Sequence, residues 1–137
     1  MASMQTTQPA TYHRPTQVFI VDDSLSIRTR LAEMLATMGD VAIVGEAGSA
    51  PDAVHGILQT RPHSVLLDLN LSGRSGIEVL RVVHKHAPAT VFVVLTNHPA
   101  PQHSRARNLA GAAYFLDKST EFDRVREVIA QIAATRH

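Results

Sequence analysis

Four short apolar runs, each cut off by a polar residue, limit what this chain can fold into. Val18-Phe19-Ile20-Val21 stops at Asp22-Asp23, and Ser64-Val65-Leu66-Leu67 stops at Asp68. Val91-Phe92-Val93-Val94-Leu95 stops at Thr96, and Tyr114-Phe115-Leu116 stops at Asp117-Lys118. Such runs read as candidate strands of one open parallel sheet. Helical spacing fills the intervals. Ile27, Leu31, Leu35 and Met38 predict a first helix from near Ser24 to Gly39, followed by a strand at Val41-Ala42-Ile43-Val44. Ser49-Ala50-Pro51-Asp52 starts a second helix with a capping residue and an early proline, turning Ala53, Ile57 and Leu58 inward. Ser75 opens a third helix with Ile77, Leu80 and Val83 on one side, and Pro88 marks its end. A fourth lies between Pro101 and Ala110. The fifth follows Thr120, with Phe122, Val125, Val128, Ile129 and Ile132 inward and Glu121 and Asp123 in its first turn. Strands alternating with helices predict an α/β fold around one parallel sheet. In such sheets ligand sites lie at the carboxyl ends of the strands. Asp22, Asp23, Asp68, Thr96 and Lys118 are therefore expected to converge.

Composition narrows the class. The 137 residues, 45% of them hydrophobic, predict one core. Residues 1–15, rich in Thr, Gln, Ala and Pro without an apolar period, read as a flexible leader, and residues 16–137 as the folded domain. The absence of cysteine removes disulfides, thiolate nucleophiles and Cys-based metal sites. A net charge of +1 with dispersed basic residues offers no electrostatic case for nucleic acid or an anionic membrane. No apolar stretch approaches the roughly 20 residues of a membrane span, and no signal-peptide pattern opens the chain, so the cytoplasm is expected. Gly-x-Ser-x-Gly, Gly-x-x-x-x-Gly-Lys and post-strand Gly-x-Gly-x-x-Gly motifs are all missing, which leaves hydrolase, NTPase and dehydrogenase readings without their main support.

The converging residues favour one chemistry. Three carboxylates in one pocket repel unless a cation neutralises them. Hard oxygen ligands with room for water and phosphate favour Mg²⁺, with Mn²⁺ able to substitute. Three carboxylates and Lys118 carry a formal charge of about minus two, which one divalent ion cancels. Asp68 is then placed to attack phosphorus as a carboxylate nucleophile, while Lys118 and the Thr96 hydroxyl bind the equatorial oxygens. Asp117 reads as a turn or capping residue. His84 and His86 fall on different helix faces and His55, His63, His98 and His103 show no zinc spacing, so all read as solvated surface, with His98 the only one near the site.

These residues resemble the receiver domain of bacterial two-component response regulators. The likeness covers about residues 17–135 and rests on Val21-Asp22-Asp23-Ser24, Leu66-Leu67-Asp68-Leu69-Asn70, Leu95-Thr96-Asn97 and Gly111-Ala112-Ala113-Tyr114-Phe115-Leu116-Asp117-Lys118, in the family's order. The resemblance implies a flavodoxin-like doubly wound sheet of five parallel strands in the order 2-1-3-4-5 with five helices. It implies Asp68 as phosphoacceptor, with Asp23, Asp68 and the Asn70 carbonyl as Mg²⁺ ligands and Asp22 behind them or acting through water. Thr96 and Phe115 become the switch pair, and Tyr114 is expected on the opposite side of its strand. The implied donor is a sensor histidine kinase or histidine phosphotransfer protein.

Departures from the family pattern carry expectations of their own. Ser119 follows Lys118 where a proline with a cis bond is usual, which predicts a trans or strained peptide. Ser72 replaces a common proline, so the loop 71–76 is expected to be more mobile. Asn97 is expected to narrow access for small phosphodonors, and Asn70 and His98 occupy positions that tune loss of the phosphoryl group. The overall expectation is a stand-alone, non-enzymatic receiver, monomeric or weakly dimeric on phosphorylation, with no direct contact to nucleic acid or membrane. It would act on an unknown protein partner through a surface including Arg105, Arg107, Tyr114 and Arg124. The alternatives are a receiver cut from a longer DNA-binding regulator and a pseudo-receiver that works without phosphorylation.

Overall fold

The computed structural model describes residues 14–72, 74–97 and 112–136. In chain order the elements are β1 (Thr16–Val21), α1 (Leu25–Ala36), β2 (Val41–Ala47), α2 (Ala50–Thr60) and β3 (Ser64–Leu67). A hairpin of two-residue strands, β4 (Asn70–Leu71) with β5 (Arg74–Ser75), precedes α3 (Ile77–His86), β6 (Val91–Thr96), β7 (Ala112–Asp117) and α4 (Arg124–Thr135). Five strands form one parallel sheet in the order β2-β1-β3-β6-β7. Without the hairpin, that is the expected 2-1-3-4-5 order. Four helices lie among the described residues, and the helix expected between Pro101 and Ala110 falls outside them. None of the four is long and apolar enough to cross a membrane.

Strand alternation builds two separate cores. Phe19, Val21, Val65, Leu67, Phe92 and Val94 face one side and pack with α2 and α3 residues such as Ile57, Val79, Leu80 and Val83. Val18, Ile20, Leu66, Val93, Leu95 and Leu116 face the other and meet Leu31 and Leu35 of α1 and Val125, Ile129 and Ile132 of α4. The central strands β1, β3 and β6 thus bury odd and even positions alike, which is why their sequences read as unbroken apolar runs, while β2 and β7 at the sheet edges are mostly half-buried. At roughly 1.5–3 kcal/mol for each large apolar side chain taken fully from water, this double burial dominates the stability.

Caps explain the helix boundaries. Ser24 and Ser49 accept N–H bonds from Ile27 and Asp52, starting α1 and α2 where expected. α1 stops at Ala36 and not at Gly39, because the Thr37 N–H and hydroxyl both bond the Met34 carbonyl and close the last turn. Met38 still packs on the second core from the turn beyond. α4 begins at Arg124, several residues later than expected. Asp117 Oδ1 accepts the N–H groups of Ser119 and Thr120, and the Glu121 N–H bonds the Asp117 carbonyl. These bonds satisfy the backbone as turns, so Phe122 enters the core before the helix starts.

His63 is not the solvated residue expected. It is half-buried at the opposite edge of the sheet, where Nδ1 accepts the Gln17 N–H at 2.8 Å and Arg136 lies 3.3 Å from Nε2. Burial and the neighbouring guanidinium lower its pKa below the usual histidine value.

Candidate functional site

Sheet order and register bring the acids together. The chain leaves β1 for β2 on one side and returns to place β3 on the other, so β1 and β3 flank the point where the order reverses. Val21 pairs with Leu67, and the Asp68 N–H bonds the Val21 carbonyl at 2.9 Å. The residues following the two strands, Asp22-Asp23 and Asp68, are therefore neighbours. Thr96 and Asp117 pair at the end of β6 and β7, which leaves Lys118 beside the same edge.

Asp22 is 2% exposed and Asp68 5%, whereas Asp23 is exposed. One oxygen from each carboxylate lies within 4.8 Å of the others. Lys118 Nζ donates to Asp22 Oδ2 at 2.6 Å and lies 3.2 Å from Asp68 Oδ2. The remaining oxygens are directed by backbone: Ser24 N–H donates to Asp22 Oδ1 at 2.9 Å, and Asn70 N–H to Asp68 Oδ1 at 3.0 Å. Asp23 Oδ2 accepts from the Ser72 N–H at 3.1 Å and its hydroxyl at 3.4 Å. Ser72 reaches it from a left-handed backbone conformation with φ of 46°. The loop expected to be mobile thus carries the β4–β5 pairing and a tie to the acidic pair.

The electrostatics show a site short of positive charge. Burial raises the Asp68 carboxyl above the usual carboxylate range, with Asp22 adding to the rise, although the Asn70 N–H and Lys118 oppose it. Lys118 is raised too: burial works against its charge, but the bonds and charges of Asp22 and Asp68 prevail. It stays an ammonium facing two buried carboxylates. Hard oxygen donors clustered this closely, with one acid exposed toward solvent, fit a divalent ion such as Mg²⁺. A polar depression lined by Asp22, Asp23, Asp68, Asn70, Asn97 and Lys118 leads to them.

Other expected residues are placed as follows. The Thr96 hydroxyl is buried and has no hydrogen-bond partner among the described residues. Phe115 is half-buried against the first core and Tyr114 against the second, on opposite faces of β7. Arg124 is engaged with Glu121 and Glu127. The Lys118–Ser119 peptide is trans, and Asp117 serves as the turn-capping residue expected. Arg105, Arg107, His98 and His103 lie outside the described residues.

Three residues around the site gave no sequence signal as such. Glu121, read as a helix acid, accepts the Asp117 N–H at 2.8 Å and locks the turn after Lys118; this bond and Arg124 hold its carboxyl below the usual range. Arg28 bonds the Asp22 carbonyl at 2.7 Å. Gly76 sits where a Cβ would lie 2.4 Å from the Asp68 carbonyl and 3.0 Å from the Leu69 Cα.

Residues 18–130 match the response regulator receiver domain family. The YhcZ protein of Bacillus subtilis, called an uncharacterized transcriptional regulatory protein, is 32% identical over 105 residues, 77% of this chain and 49% of that protein. Protein-glutamate methylesterase/protein-glutamine glutaminase 3 of Geobacter sulfurreducens is 31% identical over 108 residues, 79% of this chain but 29% of that protein. The chain thus spans about half or less of these relatives. The solved signal receiver domain of the response regulator NarL from Mycobacterium tuberculosis shares 28% identity and a TM-score of 0.77, with 90% of this chain and 100% of that one covered. Strand order, acidic strand ends and these likenesses agree, and the chain belongs to the response regulator receiver family.

Proposed function

We propose that this chain is a phosphorylation-controlled signalling module whose acceptor is Asp68. The observation that carries the reading is the Asp22–Lys118–Asp68 cluster, in which one ammonium meets two buried carboxylates beside a third, exposed one. Asp22, Asp23, Asp68 and the Asn70 carbonyl would hold Mg²⁺, or Mn²⁺ in its place. When bound, the ion supplies the positive charge that keeps these acids ionised and disperses charge on the phosphoryl oxygens.

The chain's own residues supply the rest. The Asn70 N–H fixes one Asp68 oxygen, leaving the other beside Lys118 and available to attack. An Asp68 oxygen forms a bond to phosphorus as the phosphorus–nitrogen bond of a donor phosphohistidine breaks. The electron pair stays on the leaving imidazole nitrogen. Lys118 then neutralises part of the new charge, and the Thr96 hydroxyl, without a partner among the described residues, has a phosphoryl oxygen to donate to. Movement of Thr96 toward that oxygen, with Phe115 filling the space behind it, is the proposed signal. Asn97 lines the approach and, with Asn70 and His98, would set phosphodonor access and phosphoryl lifetime. The proposed partners are a histidine kinase or phosphotransfer protein upstream and a protein target downstream, in the cytoplasm, without catalysis beyond self-phosphorylation.

Intact mass spectrometry tests this directly. Incubation with a small acyl phosphate and Mg²⁺, repeated with a cognate kinase, should add one phosphoryl group to the wild type and none to Asp68→Asn. An unmodified wild type under both donors removes the proposal and favours a pseudo-receiver. A second reading, the receiver portion of a longer transcriptional regulator, is favoured by the chain's coverage of about half of YhcZ. The coding sequence on either side of this segment distinguishes the two.

A further inference from the structure

Arg28 lies in the first turn of α1, with its side chain 18% exposed, and reaches beneath the acidic loop. Its Nη1 donates to the Asp22 carbonyl at 2.7 Å, and its Nε donates to Glu46 on β2 at 3.1 Å. That carbonyl belongs to the peptide joining Asp22 to Asp23. The other polar atoms of Asp22 are held as well: its N–H by the Ala47 carbonyl at 3.1 Å, Oδ1 by the Ser24 N–H and Oδ2 by Lys118. Among the described residues, Arg28 is the hydrogen-bond donor to the carbonyl of the peptide leading into Asp23.

Gly48 offers an independent observation. A Cβ there would lie 3.0 Å from Arg28 Nη1 and 3.7 Å from the Asp22 carbonyl oxygen. Its φ lies outside the left-handed region, so the backbone itself does not demand glycine. The missing side chain leaves the guanidinium uncrowded where it meets the carbonyl, since a methyl there would press on Nη1.

We infer that Arg28 is a positioning residue for the divalent-cation site, acting through the Asp22–Asp23 peptide in room left by Gly48. This rests on the metal-dependent reading above. A charge-assisted bond to a carbonyl is strong and directional. Without it the Asp22–Asp23 peptide is held only from its flanks, by the Ser24 N–H on Asp22 Oδ1 and by Ser72 on Asp23 Oδ2, so its plane and the direction of the exposed Asp23 carboxylate are less narrowly set. The guanidinium charge acts in the opposite sense, since removing a cation favours binding of another. Glu46 already neutralises it, so orientation decides the outcome.

Calorimetric titration with Mg²⁺, and Mn²⁺ titration followed by electron paramagnetic resonance, read metal affinity without any phosphoryl transfer. Arg28→Met should weaken both by about tenfold, the lower end of the effect of groups that orient metal ligands from behind. Gly48→Ala should weaken them less. The double variant should be no weaker than Arg28→Met, because Gly48 acts through Arg28. At saturating metal the phosphorylation rate of Arg28→Met should return close to wild type, which a general loss of structure would not allow. A folded Arg28→Met that binds Mg²⁺ as well as or better than wild type overturns the inference while leaving Asp68 as acceptor. If Arg28→Met does not fold, unchanged affinity in Gly48→Ala overturns it equally. A wild type that binds neither ion overturns both the inference and the metal-dependent reading.

Discussion

Lys118→Met isolates the electrostatic demand of the site. The substitution keeps the apolar stem and removes an ammonium that lies 2.6 Å from Asp22 and 3.2 Å from Asp68, with side-chain exposures of 9%, 2% and 6% for the three residues. Removing one partner of a buried ion pair costs about 3–5 kcal/mol, because the charge left behind has no compensation. Here two carboxylates are left, beside a third. Protonation of one acid relieves part of the repulsion, so the lower half of that range is expected near neutral pH, and the loss should shrink as the solution is acidified. A domain of this size holds about 5–15 kcal/mol in total, so the variant gives up a large share. With a urea dependence of about 1–3 kcal/mol/M, the unfolding midpoint should fall by about 2 M. Saturating Mg²⁺ should then stabilise the variant more than the wild type, since the ion meets one more uncompensated negative charge; binding at a hundredfold over Kd contributes about 2.7 kcal/mol. Urea unfolding with and without Mg²⁺ measures all of this. A metal-free variant within about 0.5 kcal/mol of wild type, the usual effect of an unremarkable surface substitution, would refute the reasoning. Equal Mg²⁺ stabilisation of the two proteins would refute it as well.

Three further outcomes follow from the same geometry. Asp68→Asn should raise the metal-free melting temperature while abolishing phosphoryl uptake: the folded carboxyl titrates above its unfolded value, so ionising it costs stability as pH rises through that window, and the amide escapes the cost. Thermal scans across pH should show the advantage growing toward neutral pH and vanishing in acid. His63 works in the other sense, because its folded pKa is lowered: its contribution is complete above the unfolded value near 6.5 and is lost as pH falls below it. His63→Asn, which keeps an acceptor for Gln17, should flatten the stability profile across that interval. Gly76→Ala should slow phosphorylation and cost about 1–3 kcal/mol as an overpacked contact, since the new methyl meets the Asp68 carbonyl 2.4 Å away in backbone and not in a flexible side chain. Unchanged kinetics and stability would show that the segment after β3 moves freely.

Local pattern carried most of the architecture. Apolar runs ending in Asp22-Asp23, Asp68, Thr96 and Lys118 define strands and their polar edge, because a strand buried on both faces leaves no other place for charge. Serine caps at Ser24 and Ser49 act within three residues, so the starts of α1 and α2 were legible as well. The start of α4 was not, because Asp117 competes for the backbone groups that a helix would have used. The burial of His63 was hidden for a different reason. Its partners, Gln17 and Arg136, are brought to it by the pairing of β1 with β3 and by the end of α4.

By itself, then, the sequence determined the α/β class, the strand order through family likeness, and the set of acids and the lysine at one edge. Only the tertiary structure decided which group holds which: Lys118 between Asp22 and Asp68, Ser72 on Asp23, and Arg28 on the Asp22 carbonyl. The physical reason is range. Caps and periodicity act over a few residues, whereas these bonds join residues brought together by strand register and loop path, with directions that follow from backbone geometry at both ends.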